Sequence, residues 1–358
     1  MNECKQLLFL RCICFVGRYR GLLLYRNILG YRVVFAGDSQ SMRKYFLVLT
    51  LAMIFAGSLR AQKDTCHIGV YISNLYDYKV DDKSFMADFW MWMNYRNDSL
   101  SFENAIEMTN SKSADFSHYT MEKQGNANWA AQKCRAQLIH QWDVSKFPFD
   151  KQELQITMED SQYDTAALAY VADTVNSKID SSVNSTEWSV EKFSLESGVR
   201  SYHTTYGNQR LAGKSAYPRV TARIIIKRNN SWNKLVKMLT GAYVAFLISC
   251  IVFFVSSDNQ DSRFGLCVGG LFAAIGNKYI VESIVPSSSG NTLMDNVHTL
   301  TFVFIFLIII LITVSLKLFE SGNENNVKKS LRIDKWAFYM LTTLYVVINT
   351  VLIFRAAG

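Results

Sequence analysis

Charged residues are scarce: Asp, Glu, Lys and Arg make up 19% of the 358 residues, against 49% hydrophobic. That balance excludes a disordered chain and a coiled coil, both of which need far more charge. Cysteine is too sparse to staple the fold, with seven in the chain, three of them (Cys4, Cys12, Cys14) within the first fourteen residues. None has the spacing of zinc ligands. There is also no Gly-rich phosphate loop followed by Lys-Ser/Thr and no nucleophile set beside a base, so neither an enzyme nor a cofactor is expected. Positive charge is missing from most of the chain despite a formal net charge of +8. Residues 1–61 hold nine Lys/Arg (Lys5, Arg11, Arg18, Arg20, Arg26, Arg32, Arg43, Lys44, Arg60) against Glu3 and Asp38, which leaves about +1 for residues 62–358. A nucleic-acid partner is therefore not expected.

The basic segment reads as a leader. Arg43-Lys44 precede an apolar core from Tyr45 to Ala56, and Gly57-Ser58-Leu59-Arg60-Ala61 supply a small-residue end. This is the pattern of a signal peptide over 42–61, cleaved near Ala61. About 12 apolar residues fall short of the roughly 20 that span a bilayer. Residues 1–41 form an extension to which no function is assigned.

Long uncharged runs are confined to the last third. They cover Met238 to Val255, Thr299 to Leu316 and Trp336 to Phe354, each about the length of one membrane helix. Between the first two, Phe264 to Val285 is richer in Gly and interrupted by Asn277, Lys278 and Glu282, as suits a helix that faces protein or water. Four helices are expected, near 237–255, 262–285, 298–317 and 336–354, forming a membrane domain over 231–358. The export signal places the residues before Lys237 outside. The loop after the third helix, with Lys317, Lys328, Lys329, Arg332 and Lys335, then lies in the cytoplasm, as the positive-inside rule expects. Lys227, Arg228, Lys234 and Lys237 on the outer side run against that rule.

Residues 62–230 read as strands divided by polar turns. Leu154 to Glu159 alternates with period two, Val220 to Ile226 is β-branched, and Asn, Asp, Ser and Gly cluster at 97–99, 110–115, 176–185 and 207–213. An all-β immunoglobulin-like sandwich outside the membrane, followed by an α-helical domain of four membrane helices, is the expected architecture. Cys66 and Cys134 would both lie in an oxidising compartment, where pairing is open to them.

The segment Trp142-Asp143-Val144-Ser145-Lys146-Phe147-Pro148-Phe149-Asp150-Lys151-Gln152 resembles the signature loop of the pentameric ligand-gated ion channels, the Cys-loop receptor superfamily. The flanking cysteines of animal receptors fall at His140 and Leu154 and are absent, as in bacterial members. Trp92-Met93-Asn94-Tyr95-Arg96 resembles the Trp-x-Asp-Tyr-Arg strand, Lys227-Arg228 the basic pair before the first membrane helix, and Arg263 to Pro286 the pore helix. The resemblance covers about residues 70–355. Gly241 stands where the first helix usually has proline. What it implies is a homopentamer in a bacterial inner membrane, with a periplasmic receptor domain, gated by a small-molecule agonist or by protons, and passing ions.

Carrying the family's pore face onto this chain gives Gly265, Gly269, Phe272, Gly276, Tyr279 or Ile280, and Ser283. A ring of five phenylalanines at Phe272 is the implied hydrophobic gate. Gly265-x-x-x-Gly269 is also the small-residue pattern of packed membrane helices. Asp261, with Asp258 beside it, falls where cation-selective relatives carry an acid. Glu282 either forms an outer ring or pairs with Lys278 one turn earlier. For coupling, Phe147, Pro148 and Phe149 would press on the loop from Pro286 to Thr292, while Asp150 and Arg228 form an ion pair. The implied agonist site takes Tyr163, Tyr202, Tyr206 and Tyr217 from one subunit, with Trp92 and Arg96 from its neighbour. The tryptophan of amine-binding receptors aligns at Ser161. His140, His203 and His298 are the candidates for proton sensing. The different-class alternative is a non-conducting periplasmic sensor anchored by four helices.

Overall fold

The structure is a computed structural model that describes residues 22–27, 30–35, 63–209, 213–285 and 290–358. The proposed signal peptide at 42–61, and Pro286, lie outside the described residues. The chain divides into two compact units, 1–62 and 63–358. In the first, β1 (Leu22–Asn27) and β2 (Gly30–Phe35) form an antiparallel hairpin with Leu22 opposite Phe35.

The second unit opens with a β-sandwich. One sheet has the order β10-β3-β4-β7-β6, built from β3 (Asp64–Lys79), β4 (Ser84–Tyr95), β6 (Ser111–Gln124), β7 (Ala127–Ile139) and β10 (Lys178–Ile179), with β9 (Leu168–Ala172) parallel to β3. The other has the order β11-β12-β8-β5, from β5 (Ile106–Met108), β8 (Lys151–Asp160), β11 (Trp188–Tyr202) and β12 (Ser215–Arg228). Period-two patterning decides which face turns inward. Phe85, Ala87, Phe89, Met91 and Met93 of β4 meet Leu154, Ile156 and Met158 of β8 and Val220, Ala222, Ile224 and Ile226 of β12 in one buried core. Cys66 and Cys134 are both buried and both free. They stay unpaired because β4 runs between their strands and the register offsets them, Cys134 lying opposite Phe89 and Cys66 near the Tyr95 end. A disulfide needs Cα atoms within about 7 Å.

Four helices long and apolar enough to cross a membrane follow: α1 (Ser231–Cys250, continued by a 3-10 turn Ile251–Phe254), α2 (Gln260–Ile284), α3 (Leu293–Glu320) and α4 (Glu324–Ala357). All four start earlier than hydropathy alone indicates, α1 at Ser231 and α2 at Gln260 where 237 and 262 were expected. α3 begins at Leu293 because Thr292 and Asp295 form a reciprocal capping box, which fixes the start ahead of the apolar run. α4 begins at Glu324, capped by Asn323. At 1.5 Å per residue its 34 residues span about 51 Å, well beyond a hydrocarbon core of about 30 Å. The expected loop carrying Lys328, Lys329, Arg332 and Lys335 is therefore mostly helix, and only residues 321–323 connect α3 to α4.

Polar side chains tie the membrane helices together where lipid gives little driving force for association. Arg263 of α2 pairs with Asp334 of α4 and donates Nε to the Val255 carbonyl at 3.1 Å. Thr301 of α3 meets the Tyr345 hydroxyl of α4 at 2.8 Å, and Tyr345 stacks on Phe246 of α1 with centroids 3.8 Å apart.

Candidate functional site

The junction of sandwich and helices is built by the turn between β7 and β8. Val144 and Phe147 are buried in one cluster with Leu235 and Leu239 of α1, Val281 of α2, and Leu293, Met294 and Val297 of α3. Pro148 is buried too, and Phe149 sits edge-on to Trp232 of α1, centroids 4.9 Å apart. The Leu293 amide donates to the Ser145 carbonyl at 3.0 Å, so the turn holds the first residue of α3 directly. The apolar turn thus touches three membrane helices. The contact was expected on the loop 286–292, of which 286–289 lie outside the described residues; the Leu293 bond falls one residue beyond it.

Beneath the turn, Asp150 and Arg228 form a bidentate pair, Nε to Oδ1 at 2.7 Å and Nη2 to Oδ2 at 3.1 Å, with both side chains almost wholly buried. Asp150 Oδ2 also accepts from Gln152 Nε2 at 3.0 Å. The guanidinium lies over Trp188 at 4.2 Å and Phe147 at 4.7 Å, two faces that favour a cation. Trp188 gave no sign of this role in the sequence, since it opens β11 while Arg228 closes β12, and only the β11–β12 pairing sets the two opposite.

A second chain of contacts runs outward from this pair. Gln152 Oε1 lies 3.3 Å from His140 Nε2, and His140 packs edge-on to Trp142, centroids 4.7 Å apart. Burial pushes the His140 pKa below its ordinary value of 6.5. Its neutral form suits the fold, so its contribution is present above about pH 6.5 and is lost as pH falls through the lowered value. His298, the third candidate for proton sensing, is 1% exposed. It bridges the Met294 carbonyl at 2.8 Å and Asn277 Oδ1 of α2 at 2.9 Å. The earlier start of α3 moves it a turn inside the helix.

The two faces of α2 separate cleanly. Arg263, Cys267, Gly270, Ala274 and Val281 are buried against the other helices of the protomer. Gly265, Gly269, Phe272, Gly276, Tyr279, Ile280 and Ser283 are exposed, Phe272 at 69%. Added Cβ atoms at Gly265, Gly269 and Gly276 would meet nothing within 4 Å, whereas at Gly270 one would lie 2.1 Å from Ser249 Oγ and 2.9 Å from the Ala245 carbonyl. Packing against α1 within the protomer therefore uses Gly270, which the sequence did not single out, and not the Gly265/Gly269 pair. Gly241 has its own reason: a Cβ there would lie 2.6 Å from the Asn277 amide. Asp261 is exposed in the first turn of α2, and Asp258 is exposed just before it. Lys278 and Glu282 pair at 3.3 Å, so Glu282 has a neighbour on its own helix. The partner of Arg263, Asp334, was hidden in the expected α3–α4 loop.

On the sandwich, Tyr202, Tyr206 and Tyr217 cluster, with Tyr202 centroids 5.8 Å from Tyr206 and 6.3 Å from Tyr217. Tyr163 is half-buried, its hydroxyl accepting from the Ser101 amide at 3.2 Å. Trp92 lies on the other sheet, on the β4 face turned away from the core, and Arg96 follows the end of that strand. Arg96 is exposed, and Trp92 covers Gly69 while donating to Asp173 Oδ2 at 3.1 Å. One protomer does not bring these two groups together.

Residues 102–230 match the neurotransmitter-gated ion-channel ligand binding domain. No curated protein matches the chain significantly. A matched ligand-binding domain, a β-sandwich, and four helices able to cross a membrane, in that order, make this a multi-pass membrane protein that fits the family of pentameric ligand-gated ion channels.

Proposed function

We propose that five copies of the chain surround a cation-selective pore lined by α2, narrowed by a ring of Phe272 and opened from the β-sandwich by a small molecule or by protons. The membrane is a bacterial inner membrane, with the sandwich in the periplasm. The observation that carries this reading is the segregation of α2: its buried face satisfies the protomer, while Gly265, Gly269, Phe272, Gly276 and Ser283 stay open. A helix that served only as an anchor has no use for a second, glycine-lined face reaching from Asp261 to Ser283. Arg263 is turned inward to Asp334, which leaves the exposed Asp261 to set the charge at that mouth.

The test is a reversal potential under a salt gradient, recorded from full-length protein in a planar bilayer. A Phe272→Ala background supplies current without an agonist. Channels with Asp261 are expected to reverse near the cation equilibrium potential, and Asp261→Lys to move the reversal potential toward that of the anion, a change of about tenfold in permeability ratio. Anion reversal with Asp261 intact would overturn the cation reading. No current from any variant would favour the non-conducting sensor.

A further inference from the structure

The aromatic patch on the β11–β12 hairpin is strongly one-signed in charge. Residues 197–257 contain no Asp or Glu, while the hairpin carries Arg200, His203 and Lys214 along with its tyrosines. Arg200 is exposed, its guanidinium carbon 5.8 Å from the centre of the Tyr202 ring. Tyr206, 64% exposed, packs edge-on to the same ring.

The acids nearby are already engaged. Glu159 is 5% exposed and stands opposite Arg219 in the β8–β12 register. Its Oε1 accepts from the Tyr202 hydroxyl at 2.8 Å, and its Oε2 from Arg219 Nε at 2.8 Å and Nη2 at 2.6 Å. An incoming ammonium would have to displace the half-buried Arg219 guanidinium from that buried carboxylate, exchanging one bidentate partner for a weaker point charge. Asp160 is 1% exposed and accepts from the Tyr163 and Gln162 amides at 2.6 and 2.9 Å and from the Tyr170 hydroxyl at 2.6 Å. Asp164 accepts from the Ala166 and Ala167 amides at 2.9 and 3.1 Å. Glu107 of β5 is exposed, but in the order β11-β12-β8-β5 it lies three strands, about 14 Å, from the Tyr202 strand. Ser161 is exposed and offers a hydroxyl and no ring. Among the described residues of one protomer, a cation finds neither an unengaged carboxylate nor an indole beside Tyr202.

We infer that the ligand of this site is a small carboxylate, held by Arg200 with its carbon body against Tyr202 and Tyr206. The inference rests on the ligand-gated reading above. A guanidinium supported by an aromatic face presents a planar fork of donors that matches a carboxylate two bonds at a time. Arg96, exposed just past the end of β4, adds a further guanidinium if the neighbouring copy approaches with that strand.

The experiment compares probes of equal skeleton and opposite charge by isothermal titration at pH 7.5 on the full-length protein in detergent: succinate against 1,4-diaminobutane, and benzoate against benzylamine. At least one carboxylate is expected to bind about tenfold or more tightly than its amine counterpart, and Arg200→Gln to weaken it about tenfold. Equal or tighter binding of the amines, binding of neither series, or an unchanged affinity in Arg200→Gln would each overturn the inference. Current from Phe272→Ala channels in the same preparation separates the two readings. Current without carboxylate binding overturns the ligand class and leaves the channel standing. Carboxylate binding without current supports the ligand class and removes the channel.

Discussion

Phe272→Ala is expected to raise resting current through the reconstituted protein by about tenfold or more, because a dewetted apolar constriction blocks ions and a ring of methyl groups does not. The expectation follows from where the side chain stands. Phe272 is 69% exposed in the protomer and is absent from the buried face of α2 formed by Arg263, Cys267, Gly270, Ala274 and Val281. Truncating a packed phenylalanine costs about 3–5 kcal/mol, so a packing role predicts poor folding in place of leak. Planar-bilayer recordings, with the thermal midpoint measured on the same preparation, separate the two: leak with little change in stability supports the gate, and lost stability without leak refutes it.

Breaking the Asp150–Arg228 pair is expected to have the largest structural effect of any single substitution at the junction. Asp150→Ala leaves the Arg228 guanidinium almost fully buried between Trp188 and Phe147 with no carboxylate. Removing one partner of a buried pair costs about 3–5 kcal/mol, which for a chain of this size lowers the thermal midpoint by about 10 °C. Stimulus-evoked opening should fall with it, since the same turn holds Phe147 against α1 and α3. The double variant Asp150→Leu/Arg228→Met is expected to recover much of the stability, because an apolar pair of similar volume replaces the ions at little cost. Evoked current should stay low in it. Added to Phe272→Ala, neither change should abolish resting leak, because Phe272 and the exposed glycines of α2 do not touch the pair. Full evoked current in Asp150→Ala would contradict the coupling role.

Much of the fold was legible because period-two alternation is written locally. Leu154, Ile156 and Met158 announce one buried face wherever the partner strand lies, and their burial follows. Membrane helices are legible for the same reason, since length and apolarity are local properties. The signature turn was legible through its anomaly, an apolar Phe147-Pro148-Phe149 where a surface turn would be polar. What escaped were choices made between distant segments. Gly270 and Gly269 are neighbours of identical chemistry, and only the approach of Ser249 and Ala245 decides that the first is the packed one. Arg263 could be placed on a helix, but its partner Asp334 lay in what hydropathy marked as loop, because the polar first turns of α4 carry the helix beyond the apolar run. The capping box at Thr292 and Asp295 was readable and would have moved the start of α3 to the right place.

The central claim is that the exposed face of α2 lines a conducting pore, and substituted-cysteine accessibility tests it most directly. In the Phe272→Ala channel, cysteines at Gly269, Gly276 and Ser283 are expected to react with a water-borne thiol reagent and cut the current, while Ala274→Cys on the buried face stays silent. Among the described residues the thiols Cys66, Cys134, Cys250 and Cys267 are all buried, so background reaction from them should be low; Cys4, Cys12 and Cys14 lie ahead of the expected cleavage near Ala61, and the reagent's effect on Phe272→Ala alone is the control. Block at all three positions, which recur every seven residues on one face, with none at Ala274, is the expected result; equal block at Ala274, or no current to block, would contradict it.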